Sequence, residues 1–276
     1  MTRKCRVRHS LNLVTLFVVA ASTQLQAIGT EVSTITPRSI APIDITGFWV
    51  SIVTEDWKYR MITAAKGDIG GVPLNANGLK VANEWDPEKD VPEGDRCKAY
   101  GAAGIMRRPG RLHIYWEDVN TLKIDLDAGI QTRIFHFAQF LPPAGFDALD
   151  APISFLRFQP PSGPPTRQGY SLAAWVKIAQ NNGQEPPTAP SKGGGLMVMT
   201  SHMEPGYLQK NGIPYSSDSV MTEYFDRIHL PSGEDYLIVT SIVEDPVYLT
   251  EPFITSTQFK SEKDGHGWTA TLCDPK

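Results

Sequence analysis

Four side chains are suited to proton transfer and charge stabilisation: His113, His202, Glu223 and Arg133. An imidazole titrates near neutrality, and a carboxylate set among apolar neighbours rises towards a working acid–base range. Glu223 falls on one face of the run Val220–Leu230 with Met221, Phe225, Arg227 and His229. It reads either as such a carboxylate or as half of a surface pair with Arg227. Arg133 alternates with Gln131 and Phe135, and Asp127 precedes the tight turn before them. A short hairpin would bring Asp127 to Arg133, where a held guanidinium orients an anionic or carbonyl oxygen. A turn cap with a surface ion pair explains the same two residues. His113 shares a face with Arg111 and Tyr115, turned either to solvent or into a barrel. His202 ends an apolar strand beside a loop, a position for a reachable site group or for an ordinary exposed histidine. Tyr207 and Tyr215 in the loop that follows, with Asp127, Phe135 and Phe225, complete the candidate ligand-binding residues.

Other chemistries lack their signatures. There is no His-x-His, His-Glu-x-x-His or Cys-x-x-Cys, so no metal site is expected, and no cofactor. No Gly-x-Ser-x-Gly elbow occurs. Gly193-Gly194-Gly195 has neither the flanking elements nor the Lys-Ser/Thr of a phosphate loop. Glu244 and Asp245 are adjacent on a strand and point to opposite faces, so they do not form a carboxylate pair.

The elements that must position these residues are mostly strands. Short β-branched and aromatic runs dominate, with 23 Gly and 22 Pro between them. Strands are expected at Gly47–Glu55, Trp57–Ile62, Arg111–Trp116, Thr121–Leu126, Gln131–Phe140, Gly169–Lys177, Leu196–His202, Val220–Leu230, Tyr236–Glu244, Phe253–Lys260 and Gly267–Leu272. Turn residues such as Asp127-Ala128-Gly129 join neighbours and imply antiparallel pairing. One short helix is expected over Asn75–Trp85, with Leu79, Val81 and Ala82 on its apolar side and Asp86-Pro87 ending it. Leu141–Gln168 and Asn181–Gly195 are Pro/Gly-rich and read as long loops of one domain. The expected fold is all-β: an antiparallel, lipocalin-like β-barrel, with a two-sheet sandwich as the alternative. Closure removes the sheet edges that so many strands would otherwise expose.

The termini bear on compartment. Residues 1–27 read as a signal peptide, with Arg3, Lys4, Arg6 and Arg8, an apolar run from Leu11 to Ala21, and Ala27 before the cut. That run is too short to span a bilayer, so residues 28–276 are expected as a single barrel domain, periplasmic or secreted. Removing the leader shifts the formal charge from −4 to −8, which with the absence of a basic stripe argues against nucleic acid. Cys97 and Cys273 remain, and in an oxidising compartment they are expected to pair.

Further motifs run along the chain: Gly47-Phe48-Trp49, Cys97-Lys98-Ala99-Tyr100-Gly101, Pro109-Gly110-Arg111-Leu112-His113-Ile114 and Thr132-Arg133-Ile134-Phe135. They continue with Gly169-Tyr170-Ser171, Trp175, Gly212-Ile213-Pro214-Tyr215-Ser216, Thr222-Glu223-Tyr224-Phe225 and Glu244-Asp245-Pro246-Val247-Tyr248-Leu249-Thr250. On these the chain resembles a broad group of exported bacterial proteins of unassigned function. The resemblance implies a lipocalin-like barrel and no particular reaction.

Three functions fit these readings. The first is a barrel that binds a small, largely apolar or aromatic molecule in its interior. The second is a cofactor-independent lyase, isomerase or hydratase using His113, His202 or Glu223 as acid or base, with Arg133 stabilising charge. The third is a non-catalytic envelope protein. Substrate and oligomeric state are not legible in the sequence.

Overall fold

The computed structural model describes residues 36–91, 95–137, 162–176 and 194–275. The signal-peptide reading of residues 1–27, and the loop readings over residues 141–161 and 181–193, lie outside these. In chain order the described elements are β1 (Gly47–Ile52), α1 (Trp57–Met61), α2 (Ala76–Glu84) and α3 (Pro87–Asp90). A 3-10 turn (Lys98–Tyr100) and α4 (Ala102–Ile105) follow, then β2 (Arg111–Trp116), β3 (Thr121–Leu126) and β4 (Gln131–Phe137). The rest are β5 (Tyr170–Val176), β6 (Gly195–Ser201), β7 (Gly206–Gln209), β8 (Ile213–Tyr215), β9 (Val220–His229), β10 (Asp235–Glu244) and β11 (Phe253–Glu262).

Nine of these strands close into a barrel in the order β1-β11-β10-β9-β6-β5-β4-β3-β2. Alternating directions cannot close an odd ring, so one seam must be parallel. That seam is β4–β5, registered Phe135↔Ser171 and Phe137↔Ala173, and every other seam is antiparallel. A parallel pair needs a crossover connection longer than a hairpin, which the Pro-rich stretch between β4 and β5 supplies. The antiparallel barrel expected from the sequence is therefore present, with this one parallel seam.

The register defines two ends. Gly47, Trp116, Thr121, Phe137, Val176, Gly195, Asp235 and Glu262 mark the upper rim, and Ile52, Arg111, Leu126, Gln131, Tyr170, Ser201, Val220 and Phe253 the lower. The chain before β1 lies over the upper mouth as a strap. Trp175 Nε1 donates to the Pro37 carbonyl at 2.7 Å, and Arg38 N to the Val119 carbonyl at 3.2 Å. Arg227 donates to the Asp44 carbonyl, and Trp49 Nε1 to that of Ile45 at 2.9 Å.

The lower end is covered by the helical segment after β1 and by the hairpin β7–β8. Arginines knit this cap by binding backbone carbonyls. Arg60 Nε donates to Arg107 O and Arg108 Nε to Ala99 O, both at 3.1 Å. Burial pushes the Arg108 guanidinium down to about 10. Cys97 and Cys273 form the expected disulfide, Cα atoms 5.1 Å apart, and draw the C-terminal tail onto this end.

Two expected strands are absent, and α3, α4, the 3-10 turn, β7 and β8 are additions to the expected elements. Trp57–Met61, within the expected strand Trp57–Ile62, is helical, because Arg60 turns inward to the Ile52 carbonyl, Glu55 and Ser51 rather than alternating with solvent. Gly267–Leu272 is not a strand: the barrel is closed without it, and only Thr271 bridges to Ala128. The helix α2 starts on Asn75, whose side chain accepts from Asn77 N and Gly78 N. It buries Gly78 and Ala82, while Leu79 faces outward.

Candidate functional site

The barrel centre is filled. Trp49, Leu112, Ile114, Leu122, Ile124, Phe135, Leu196, Val198, Phe225, Val239 and Phe259 converge there as buried core, Phe135 meeting Phe225 edge-on at 5.5 Å. Beneath this apolar layer lies a polar one. Arg133, reaching inward from β4, meets Glu223 from β9 in a bidentate pair at 2.9 and 2.6 Å, and both side chains are wholly buried. Thr200 lies 3.4 Å from Arg133 Nη2, Ser241 donates to Glu223 Oε1 at 3.4 Å, and Ser171 shares a hydrogen bond with Thr200. The guanidinium stacks over the Phe135 ring, 4.9 Å from its centre. Below that layer Met203, Leu208, Ile213, Tyr215, Met221, Val243 and Phe253 form a second apolar cluster.

Of the four acid–base candidates, only Arg133 and Glu223 meet, and they meet each other. Their partners differ from those expected. Glu223 and Arg227 are four residues apart on one strand, roughly 13 Å at about 3.3 Å per residue, too far to pair. Arg227 binds Asp235 instead, with Nη2–Oδ2 at 2.9 Å. Asp127 lies beyond the Leu126↔Gln131 rung, while Arg133 stands opposite Ile124, so the two do not pair. Asp127 accepts from Arg111 N at 2.7 Å and fastens the β2 start to the β3 end.

His113 is on the outer wall, stacked between Phe48 and Tyr115 at 4.1 and 4.8 Å. His202 sits at the lower rim with a left-handed backbone, its ring nitrogen 2.9 Å from the Gly163 carbonyl. Tyr207 donates to the Asp90 carboxylate at 3.1–3.2 Å within the cap. Tyr215 is buried under Gly101 and Gly206, and that burial pushes its hydroxyl up, away from any role as an acid near neutrality. Phe135 and Phe225 are core. Among the described residues no three His, Cys, Asp or Glu side chains gather to hold a metal.

Among the described residues there is open space at the upper mouth. A cavity of about 480 Å³ lies between the strap and the barrel rim. The strap lines it with Arg38, Ala41, Ile43, Asp44, Ile45 and Thr46, and the barrel with Tyr115, Trp116, Leu122 and Trp175. Trp116 and Trp175 line its barrel side, their indoles 6.4 Å apart, and Phe137 packs 5.3 Å from each of them. These residues were not singled out from the sequence, although alternation puts Trp116 on the inward face at a strand end. The strap carries Pro37 and Pro42 and no periodicity that would mark it.

No helix among the described residues is long and apolar enough to cross a membrane, and the disulfide fits an oxidising compartment. No known protein family, curated protein or solved structure matches the chain, so the reading of the site rests on its geometry.

Proposed function

We propose that the chain is an exported member of the bacterial group it resembles, and that it binds a small, largely apolar or aromatic molecule at the upper mouth of its barrel. The observation that carries this is the cavity of about 480 Å³ between the strap and the paired indoles of Trp116 and Trp175. Its volume falls within the range of about 300–1,000 Å³ typical of small-molecule sites, and two indole faces stand among its polar lining groups. Aromatic faces contribute a large contact area to a flat ligand. The basic leader, the short apolar run and the disulfide support export.

A dye that brightens on leaving water tests the site. N-phenyl-1-naphthylamine added to the purified protein is expected to give saturable, one-to-one emission. The variant Ala41→Trp, which adds bulk to the cavity from the strap, is expected to weaken binding at least tenfold while the far-ultraviolet circular dichroism and melting temperature hold. An absence of saturable emission, or emission unchanged in a folded Ala41→Trp protein, refutes the reading.

A further inference from the structure

The charges around the upper mouth are unequally matched, and this bears on the class of molecule it takes. On that binding reading, we infer that the ligand is an amphipathic carboxylic acid, its apolar body on Trp116 and Trp175 and its carboxylate on Arg38. Two charged side chains line the cavity, Arg38 and Asp44. Asp44 is already hydrogen-bonded: Oδ1 accepts from Thr46 N at 2.9 Å and Thr46 Oγ1 at 2.7 Å, and the Arg227 guanidinium binds its backbone carbonyl. Arg38 is held only through its backbone, by the Val119 carbonyl at the β2–β3 turn. The acids of that turn are committed elsewhere, Glu117 to Lys123 and Asp118 to Asn120 N at 2.7 Å. Among the described residues, therefore, the Arg38 guanidinium has no carboxylate partner. Its planar fork suits a two-oxygen anion, which a carboxylate supplies.

The background field makes the inference sharp. The chain is acidic, with a formal charge of −4, so long-range electrostatics favour a cation over an anion. A preference for carboxylate must come from local contact at the mouth. Arg38 is exposed, which moderates the gain to about tenfold in affinity relative to an uncharged analogue.

Three probes of one shape separate the possibilities by titration calorimetry: 2-naphthoate, 2-naphthylmethanol and 2-naphthylmethylammonium. The expected result is 2-naphthoate binding about tenfold tighter than the alcohol, and Arg38→Gln bringing the two within about twofold while leaving the alcohol unchanged. Because Arg38 is a surface residue, this variant is expected to fold normally. Equal binding of all three probes, tightest binding of the ammonium, or a carboxylate preference that persists in Arg38→Gln overturns the inference and leaves the cavity reading standing. If none of the three binds, both fail.

Discussion

The Arg133–Glu223 pair gives the most demanding test of how the barrel is held together. Both side chains are completely buried, the contact is bidentate, and among the described residues the other polar neighbours hydrogen-bonded to the pair are Thr200 and Ser241, each at 3.4 Å. Glu223→Leu would leave a guanidinium with one distant hydroxyl, and Arg133→Met a carboxylate with another. Removing one member of a buried pair costs about 3–5 kcal/mol, because the survivor keeps its desolvation penalty without its partner. Arg133 Nε already has no hydrogen-bond partner, so relaxed rearrangement around it has little to recover.

The double variant Arg133→Met/Glu223→Leu removes both charges and fills the same volume with apolar atoms. It is expected to lie within about 1 kcal/mol of the parent, or to exceed it, as apolar replacements of buried pairs commonly do. The two single losses then sum to about 6–10 kcal/mol while the double loses almost none. That gap is far larger than experimental error in a double-mutant cycle. Urea unfolding followed by the fluorescence of the six tryptophans reads all four proteins, with the slope held common as the check on two-state behaviour. Singles that lose less than about 1 kcal/mol would mean that water reaches the pair, and a double no better than its singles would mean that the pair is irreplaceable. Either result refutes the reasoning. The double variant is also expected to bind N-phenyl-1-naphthylamine as the parent does, since the pair lies below the apolar layer rather than in the mouth.

Other consequences are sharper for being local. Replacing Cys97 and Cys273 with serine opens a loop spanning 176 residues, and chain entropy sets the loss at up to about 5 kcal/mol; hydrogen exchange is expected to rise first around Thr271 and Ala128. Gly169 has φ +63°, and an added Cβ would lie 2.5 Å from the Ser201 carbonyl, so Gly169→Ala is expected to cost about 2 kcal/mol or more in urea unfolding. Burial holds the Asp226 carboxyl above its ordinary value, so its charge opposes folding at neutral pH. Asp226→Asn is therefore expected to raise the melting temperature at pH 7. The gain should shrink as pH falls through the raised folded value and vanish below the unfolded one, where both states are protonated. A gain of equal size at pH 3 would contradict that.

Strands were legible where alternation was clean. Arg111–Trp116 and Thr121–Leu126 have the predicted bounds, because Leu112, Ile114, Leu122, Ile124 and Leu126 mark one face without interruption. The same alternation places Glu223, Phe225, Arg133 and Phe135 inside. It cannot say which inward groups touch across the lumen, since β4 and β9 are separated in the ring by β5 and β6. Pairings guessed from local spacing, Asp127 with Arg133 and Glu223 with Arg227, failed for that reason. Trp57–Met61 was misread because five residues with two aromatics look β-prone, whereas inward contacts of Arg60 decide the conformation. The strap was invisible because its role is to cover a mouth, and that needs no periodicity.

A nine-stranded ring encloses more volume than one layer of aliphatic side chains can fill, and this chain occupies it with long groups: Arg133 reaching to Glu223, and aromatic rings above. That solution makes the centre rigid and leaves no room for a ligand. It also distributes the two ends unequally. The lower one is sealed by helices, a hairpin, three inward arginines and a disulfide, each with partners in the cap. Among the described residues the upper one is covered by a strap held through a handful of hydrogen bonds, most of them to its backbone, over three aromatic rings. Opening the lower end would break a network, whereas opening the upper end requires that Pro37, Arg38, Asp44 and Ile45 release Trp175, Val119, Arg227 and Trp49 and that Ile45 leave the core. On the proposed binding reading, ligand exchange belongs at the strap, and weakening its anchors is expected to change the rate at which a ligand enters and leaves more than it changes the stability of the barrel.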